Sequence, residues 1–155
     1  MAEYSADAIQ VVNPNESIVF TNTPVPCPYG LVRHREESGA FLLSGRVANR
    51  HCAGCDRNKY ANYLVDFSAN IAIPTGGTVE PITVAITIDG STIPASTMEV
   101  TPAAVEQFFN VSRAINAQIM SGCCESVSIV NTSTQPISVR NANVIFSRSD
   151  ANRLF

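Results

Sequence analysis

The sequence has few charged residues and almost no lysine. Asp, Glu, Lys and Arg make up only 15% of its 155 residues, whereas about a quarter is typical of soluble domains. Lys59 is the one lysine, and the formal net charge is −3. Because no basic patch attracts nucleic-acid phosphates or anionic lipid headgroups, we expect neither nucleic acid nor a membrane as a partner. The surface left by so few charges is typical of domains that pack against copies of themselves.

Long hydrophobic runs are also absent. No stretch approaches the roughly 20 apolar residues that a membrane-spanning helix needs. The first residues, Met-Ala-Glu-Tyr-Ser, lack the basic and apolar regions of a signal peptide. We therefore expect that, if the protein is found outside a cell, it leaves by a route other than standard secretion, such as release of virus particles by lysis.

Motifs for catalysis are scarce as well. No serine or cysteine lies in a nucleophile elbow, and the carboxylates show no calcium-loop spacing. His34 precedes Arg35, Glu36 and Glu37, and a histidine beside carboxylates can serve in acid–base chemistry. Charges alternating at the entry to a strand more often form salt bridges on a rim or between subunits. We expect no enzymatic activity and no cofactor.

The five cysteines are the strongest chemical signal. Because five is odd, at least one thiol stays free, pairs between chains or joins a metal site. Adjacent Cys123 and Cys124 are poorly placed to bond each other, because a trans peptide holds Cα atoms about 3.8 Å apart and a disulfide needs about 5.5 Å. His51, Cys52 and Cys55 could hold zinc, with His34 or Cys27 as a further ligand.

A structural zinc site usually has a second Cys-x-x-Cys pair, which this chain lacks. The favoured interpretation is therefore that disulfides staple one open end of the fold, with zinc as the weaker alternative. A redox motif is disfavoured because the pair does not precede a helix in a βαβ pattern. The candidate disulfide cysteines are Cys27, Cys52, Cys55, Cys123 and Cys124.

Apolar and polar residues alternate with period two through the middle and C-terminal parts of the chain, which indicates half-buried β-strands. In Tyr63 to Ile73 the odd-numbered residues share one face, and Asp66, Ser68 and Asn70 share the other. The strand after it ends at Asp89-Gly90, a two-residue hairpin signal. The predicted strands are Ile9 to Val12, Ser17 to Thr21, Ala40 to Leu43, Tyr63 to Ile73, Ile82 to Ile88, Ser91 to Ile93, Met98 to Thr101, Phe108 to Met120, Ser126 to Asn131 and Ile137 to Phe146.

So many short strands predict an all-β fold, an antiparallel two-sheet jelly-roll sandwich in one domain spanning 1–155. The one weak helical candidate is Ala103 to Gln107. Pro24 to Gly30 and Ala48 to Tyr60 are interpreted as loops, and the second is long enough to carry function. Phe108-Phe109 and Leu154-Phe155 are expected in the core or at a subunit contact.

Six segments carry a resemblance to a known family. The sequence resembles small proteins common in phages and prophages of gut-associated Firmicutes, which are related to the C-terminal head of collagen-like spore-surface glycoproteins. The segment Arg50 to Lys59 departs from the group's pattern, so its role stays open. The matching segments are Tyr4-Ser5-Ala6, His34 to Gly39, Asn70 to Val79, Val100 to Val105, Gly122-Cys123-Cys124 and Asn141 to Val144.

The resemblance implies a jelly roll like that of tumour necrosis factor and the complement globular heads, which assemble as trimers. It also implies a virion or spore-surface protein, and the expected location is the virion surface, outside the capsid, after synthesis in the bacterial host cytoplasm. The first hypothesis is thus a homotrimeric capsid decoration or head-fibre protein, whose partners are itself and the major capsid protein or another virion protein. The candidate interface residues are His34, Arg35, Glu36, Glu37 and Phe155.

Two other functions are weighed against the structural one. The alternative is a module that binds host or mucosal glycans through loops such as Ala48 to Tyr60. A metal-dependent enzyme ranks last, because its support is the single Cys-x-x-Cys pair.

Overall fold

The computed structural model describes residues 1–35, 37–46, 60–121 and 124–149. These residues form twelve β-strands, two short 3₁₀ turns and no α-helix, which confirms the predicted all-β class. None of their helical segments is long and apolar enough to cross a membrane. The strands are β1 Ala2–Ala6, β2 Gln10–Val12, β3 Asn22–Val25, β4 Val32–His34, β5 Phe41–Ser44, β6 Tyr60–Ala72, β7 Ile82–Ile88, β8 Ser91–Thr92, β9 Met98–Val100, β10 Phe109–Met120, β11 Cys124–Asn131 and β12 Ile137–Arg148.

The strands form two antiparallel sheets packed face to face. Sheet I has the order β10-β6-β12-β1-β3, with β2 also paired to β12. Sheet II has the order β4-β5-β11-β7-β8, with β9 also paired to β7. The chain changes sheet at β3–β4, β5–β6, β6–β7, β9–β10, β10–β11 and β11–β12. This alternation between two layers is the jelly-roll sandwich that the sequence predicts.

The core lies between the two sheets and is built by the alternation seen in the sequence. On β6, Tyr63, Val65 and Phe67 are buried, whereas Leu64 and Asp66 between them are exposed. Because successive side chains of a strand point to opposite faces, one face of sheet I lies in the core and the other faces outward.

An aromatic cluster joins the two sheets. The fully buried ring of Phe41, on β5, lies with its centroid 4.8 Å from that of Tyr4 on β1 and 4.9 Å from that of Phe146 on β12. Phe20 adds an edge contact at 5.3 Å, and the His34 ring stacks on Phe41 at 4.5 Å. Phe41 therefore connects sheet II to two strands of sheet I.

The edge of sheet II that β8 and β9 form is interrupted between these two strands. There a serine hydroxyl accepts a hydrogen bond that a backbone carbonyl accepts in a regular ladder. Between β8 and β9 the chain bulges out as the 3₁₀ turn Pro94–Ser96. The buried Ser96 hydroxyl accepts a hydrogen bond from Ile86 N at 2.8 Å and donates to a backbone carbonyl, Ile93 O at 2.7 Å. A short, interrupted edge of this kind resists pairing with another chain.

The structure corrects several details of the sequence prediction. Ala103 to Gln107 is a turn and not a helix: Glu106 has φ of 59°, and its carboxylate accepts a hydrogen bond from Thr75 N at 2.8 Å. In Ser17 to Thr21 only Ser17 forms a bridge, to Val130. The predicted loop Pro24 to Gly30 begins inside a strand, β3. The short strands β1, β3 and β4 were not predicted.

Candidate functional site: the outer face and free edge of sheet I

The structure describes only part of the predicted cysteine and zinc site. Cys27, half-buried, and Cys124, exposed, are free thiols. His51, Cys52, Cys55 and Cys123 lie outside the described residues. Cys124 pairs with Ser44 at the end of β5, and Cys27 follows β3, so both described cysteines lie at one end of the sandwich. No group of three or more His, Cys, Asp or Glu able to hold a metal occurs within the described ranges. The disulfide and zinc hypotheses stay predictions.

His34, a predicted interface residue, is half-buried and contacts its own chain. Its ring stacks on Phe41, and its Nε2 donates a hydrogen bond to Ser38 O at 2.9 Å. His34 thereby holds the turn that connects β4 to β5. Arg35 and Glu37 are exposed, whereas Glu36 and Phe155 lie outside the described residues. The interface assignment of this group stays a prediction.

The Tyr4 phenol has a shifted pKa. Burial raises the pKa of the Tyr4 phenol above its ordinary value of 10.0, and the charge of the nearby Cys27 thiolate raises it further. Tyr4 lies in the aromatic cluster and is almost fully buried. The folded protein therefore favours the neutral phenol.

This shift predicts a loss of stability at alkaline pH. Because the pKa is raised in the folded state, the contribution of Tyr4 is fully present below about pH 10 and is lost as the pH rises through the folded-state pKa. In urea unfolding, stability should fall more steeply with alkaline pH in the wild type than in Tyr4→Phe. Cys27→Ser should keep most of the dependence, because burial is the larger cause. Equal pH slopes in wild type and Tyr4→Phe would contradict the assignment.

The outer face of sheet I is largely neutral. Cross-strand rows on this face join Asn116, Leu64 and Ser147, and, one row along, Ala114, Asp66 and Ile145. Three outward positions are charged: Asp66 on β6, Arg140 on β12, which is paired with Asn70, and Glu3 on β1, which is paired with Ile145. Neutral outward positions are Asn110, Ser112, Ala114, Asn116 and Gln118 on β10, Asn62, Leu64, Ser68 and Asn70 on β6, and Asn143, Ile145 and Ser147 on β12.

Large apolar side chains are exposed on this face. Leu64 is 39% exposed near its middle, and Tyr60 and Met120, which pair across β6 and β10 at one end, are 42% and 61% exposed. The polar pair Asn62 and Gln118 lies between Leu64 and the pair Tyr60 and Met120 on the same face.

The free edge of sheet I is formed by β10, a long and regular strand. It pairs with β6 at all twelve of its positions without a bulge, and no described strand pairs with its other side. It has no proline and one charged residue, Arg113. The other edge strands are short: β3 has four residues including Pro24, β4 has three and β8 has two. Natural sheets protect exposed edges by shortness, proline, bulges or charge, and β10 has little of this protection.

Sequence reasoning predicted the strand at β10 but missed this site. The signal that could have found it is the absence of charge at alternate positions from Asn110 to Gln118, on the face that the period-two pattern turns away from the core. That β10 lies at an edge depends on the order of strands in the sheet, which alternation does not encode.

Comparison with solved structures supports the fold. The chain is similar to the Eiger tumour necrosis factor of S. frugiperda, with a TM-score of 0.63, 8% identity and coverage of 95% of this chain and 90% of that one. It is also similar to the globular domain of the zebrafish complement 1qA protein, with a TM-score of 0.55, 7% identity and coverage of 93% and 94%. A family 35 carbohydrate-binding module from an environmental isolate overlaps at a TM-score of 0.40, with 12% identity and coverage of 96% and 98%.

Searches by sequence gave no further relatives: no family model matches the chain, and no curated protein matches it significantly. The overlap with the carbohydrate-binding module is too low to support an argument. At 7–8% identity the two closer likenesses concern the fold alone. The protein thus has the jelly-roll fold of the tumour necrosis factor and complement head domains.

Proposed function

We propose that the protein is a non-enzymatic structural component of a virion surface, a capsid decoration or head-fibre protein that assembles as a homotrimer through sheet I. The observation that carries the self-assembly is the largely neutral outer face of sheet I beside the long edge strand β10, whose outer side no other described strand pairs with. The virion location rests on the resemblance of the sequence to phage proteins.

A second copy of the same chain is the partner that fits this surface best. Burying a charge without a partner is costly. Of the three charges on the outer face of sheet I, Glu3 accepts a hydrogen bond from Asn143 and Arg140 packs on Phe108, which leaves Asp66 without a partner among the described residues. In a closed ring, each subunit places its β10 edge against one neighbour and its outer face of sheet I against the other. The β10 edge is therefore covered in every copy. Three is the number of copies that the sequence resemblance implies.

A matched pair of leucines tests the interface. Leu64 on sheet I and Leu42 on sheet II are 39% and 38% exposed, so they differ in the face they occupy and not in burial. We expect Leu64→Arg to convert trimers into monomers in light scattering, because it places three charges in the buried contacts. Leu42→Arg should remain trimeric. A wild-type monomer at high concentration, or trimers in Leu64→Arg, would contradict the proposed interface.

The virion location is tested separately. Mass spectrometry of intact particles from the source should find this chain in a fixed ratio to the shell protein. Its absence from purified particles would overturn the virion role and leave the self-assembly to be judged by light scattering.

Glycan binding stays an alternative prediction. The loop that would carry it, Ala48 to Tyr60, lies outside the described residues except for Tyr60. A glycan array probed with the purified trimer tests it, and binding to a bacterial or mucosal glycan would add a display function to the structural one.

A further inference from the structure

Two exposed charges on sheet I have no partner among the residues that the structure describes. Asp66, on the outer face of β6, and Arg113, on the edge strand β10, make no hydrogen bond or ion pair with the rest of the described chain. Neighbouring charges are engaged: Glu3 Oε1 accepts a hydrogen bond from Asn143 Nδ2 at 2.7 Å, and the Arg140 guanidinium lies 4.1 Å from the centroid of the Phe108 ring. Asp66 and Arg113 are thus the charges that a subunit contact would have to match.

The two charges lie at the same level along the strands but on different surfaces. Arg113 is paired with Phe67, and Ala114, the next residue, is paired with Asp66, so their levels differ by one residue, or about 3.3 Å. Asp66 projects from the outer face. Arg113 is on the opposite side of the sheet, yet it is exposed because β10 is the outermost strand. Asp66 therefore lies on the outer face of sheet I, and Arg113 lies at the β10 edge.

Rotation of a subunit about an axis preserves the height of every residue along that axis. The β10 edge and the outer face of sheet I both extend along the strands, so an axis roughly parallel to the strands uses the full length of both. When subunits are arranged around such an axis, the β10 edge of one subunit meets the outer face of sheet I of the next. Arg113 of the first subunit and Asp66 of the second then lie within one residue of the same height. Arg140 is paired with Asn70, four residues from Asp66, which is too far along the strand to meet the same partner.

We propose that Arg113 of each copy forms an ion pair with Asp66 of the neighbouring copy, and that this pair fixes the register in which subunits associate. The inference rests on the proposed self-assembly through sheet I and names the residues that orient it. An arginine can donate two parallel hydrogen bonds to one carboxylate, which adds geometric specificity to the attraction. Every contact of a ring would contain one such pair, because each subunit supplies one Arg113 and one Asp66.

Charge reversal tests the pair. Asp66→Arg and Arg113→Asp each place like charges together at every contact, and we expect each to weaken association at least tenfold in light scattering over a dilution series. The double variant Asp66→Arg with Arg113→Asp restores opposite charges and should recover most of the association. Circular dichroism and thermal unfolding should show that each variant folds.

A second double variant controls for net charge. Arg33 is an exposed arginine on β4, in sheet II. Asp66→Arg with Arg33→Asp has the same net charge as the first double variant and should remain as weak as Asp66→Arg alone. Equal association of the two double variants would overturn the pair while leaving a trimeric wild type and the proposed function intact. A monomeric wild type at every concentration would overturn both.

Discussion

Replacing Asn131 with aspartate is expected to lower the free energy of unfolding by about 3–5 kcal/mol, because it places an uncompensated charge in the core. Asn131 is fully buried at the end of β11. Its Nδ2 donates hydrogen bonds to Val12 O and Gln135 O, both at 2.9 Å, and its Oδ1 accepts one from Ser133 N at 2.8 Å. A carboxylate would direct an oxygen at two carbonyl oxygens that now receive hydrogen bonds.

The loss should appear in urea unfolding at a fixed protein concentration, since subunit association also contributes to stability. Asn15→Asp is the matched control: Asn15 N donates to Asn131 O at 2.8 Å, so the same charge is added nearby, but at an exposed side chain. We expect it to cost under about 0.5 kcal/mol. Similar losses in both variants would show that the Asn131 side chain does not hold β2 and the turn after β11 in place.

Truncating Phe41 to alanine is expected to cost about 3–5 kcal/mol, the range typical of large-to-small changes at a buried aromatic. Its ring contacts Tyr4, His34 and Phe146, so its removal leaves a cavity between the two sheets. Calorimetry or urea unfolding would measure the loss.

Leu42→Ala is the control for Phe41. Leu42 is the next residue on β5, and its side chain lies on the outer face of sheet II instead of in the core. We expect less than about 1 kcal/mol from this truncation, since surface substitutions away from buried contacts have small effects. A loss equal to that of Phe41→Ala would mean that the aromatic cluster does not join the sheets.

Sequence analysis predicted the five long strands and the short strands β2, β5, β8 and β9, and it missed β1, β3 and β4. The pattern predicted β6, β7, β10, β11 and β12, and it placed Asp66, Ser68 and Asn70 on the outward face of β6 correctly. It failed for the 3₁₀ turn Pro94–Ser96, where the Ser96 hydroxyl accepts the hydrogen bond from Ile86 N while Ile86 O accepts one from Ile93 N. This hydrogen bond can be recognised only once the neighbouring strand is known.

The sequence predicted the low charge of the candidate site but not its position on the fold. Scarcity of charge predicted a domain that packs against copies of itself, and the free edge and neutral face of sheet I are the surfaces that fit this expectation. Of the predicted interface residues, His34 lies on β4 in sheet II and packs on Phe41 within its own chain, and the interface role of the group stays a prediction. A single sequence gives the polarity of each strand face, whereas partners within the chain depend on which strands become neighbours.

By itself the sequence determined the all-β class, the two faces of the long strands and the neutral character of the surface, because these follow from the local alternation and composition of the chain. The tertiary structure decided that β10 is an edge, that Asp66 and Arg113 lie at one level, and that Asn131 is held by Val12 and Gln135. These features depend on contacts between residues distant in the chain, whose pairing is set by how both sheets close around a common core.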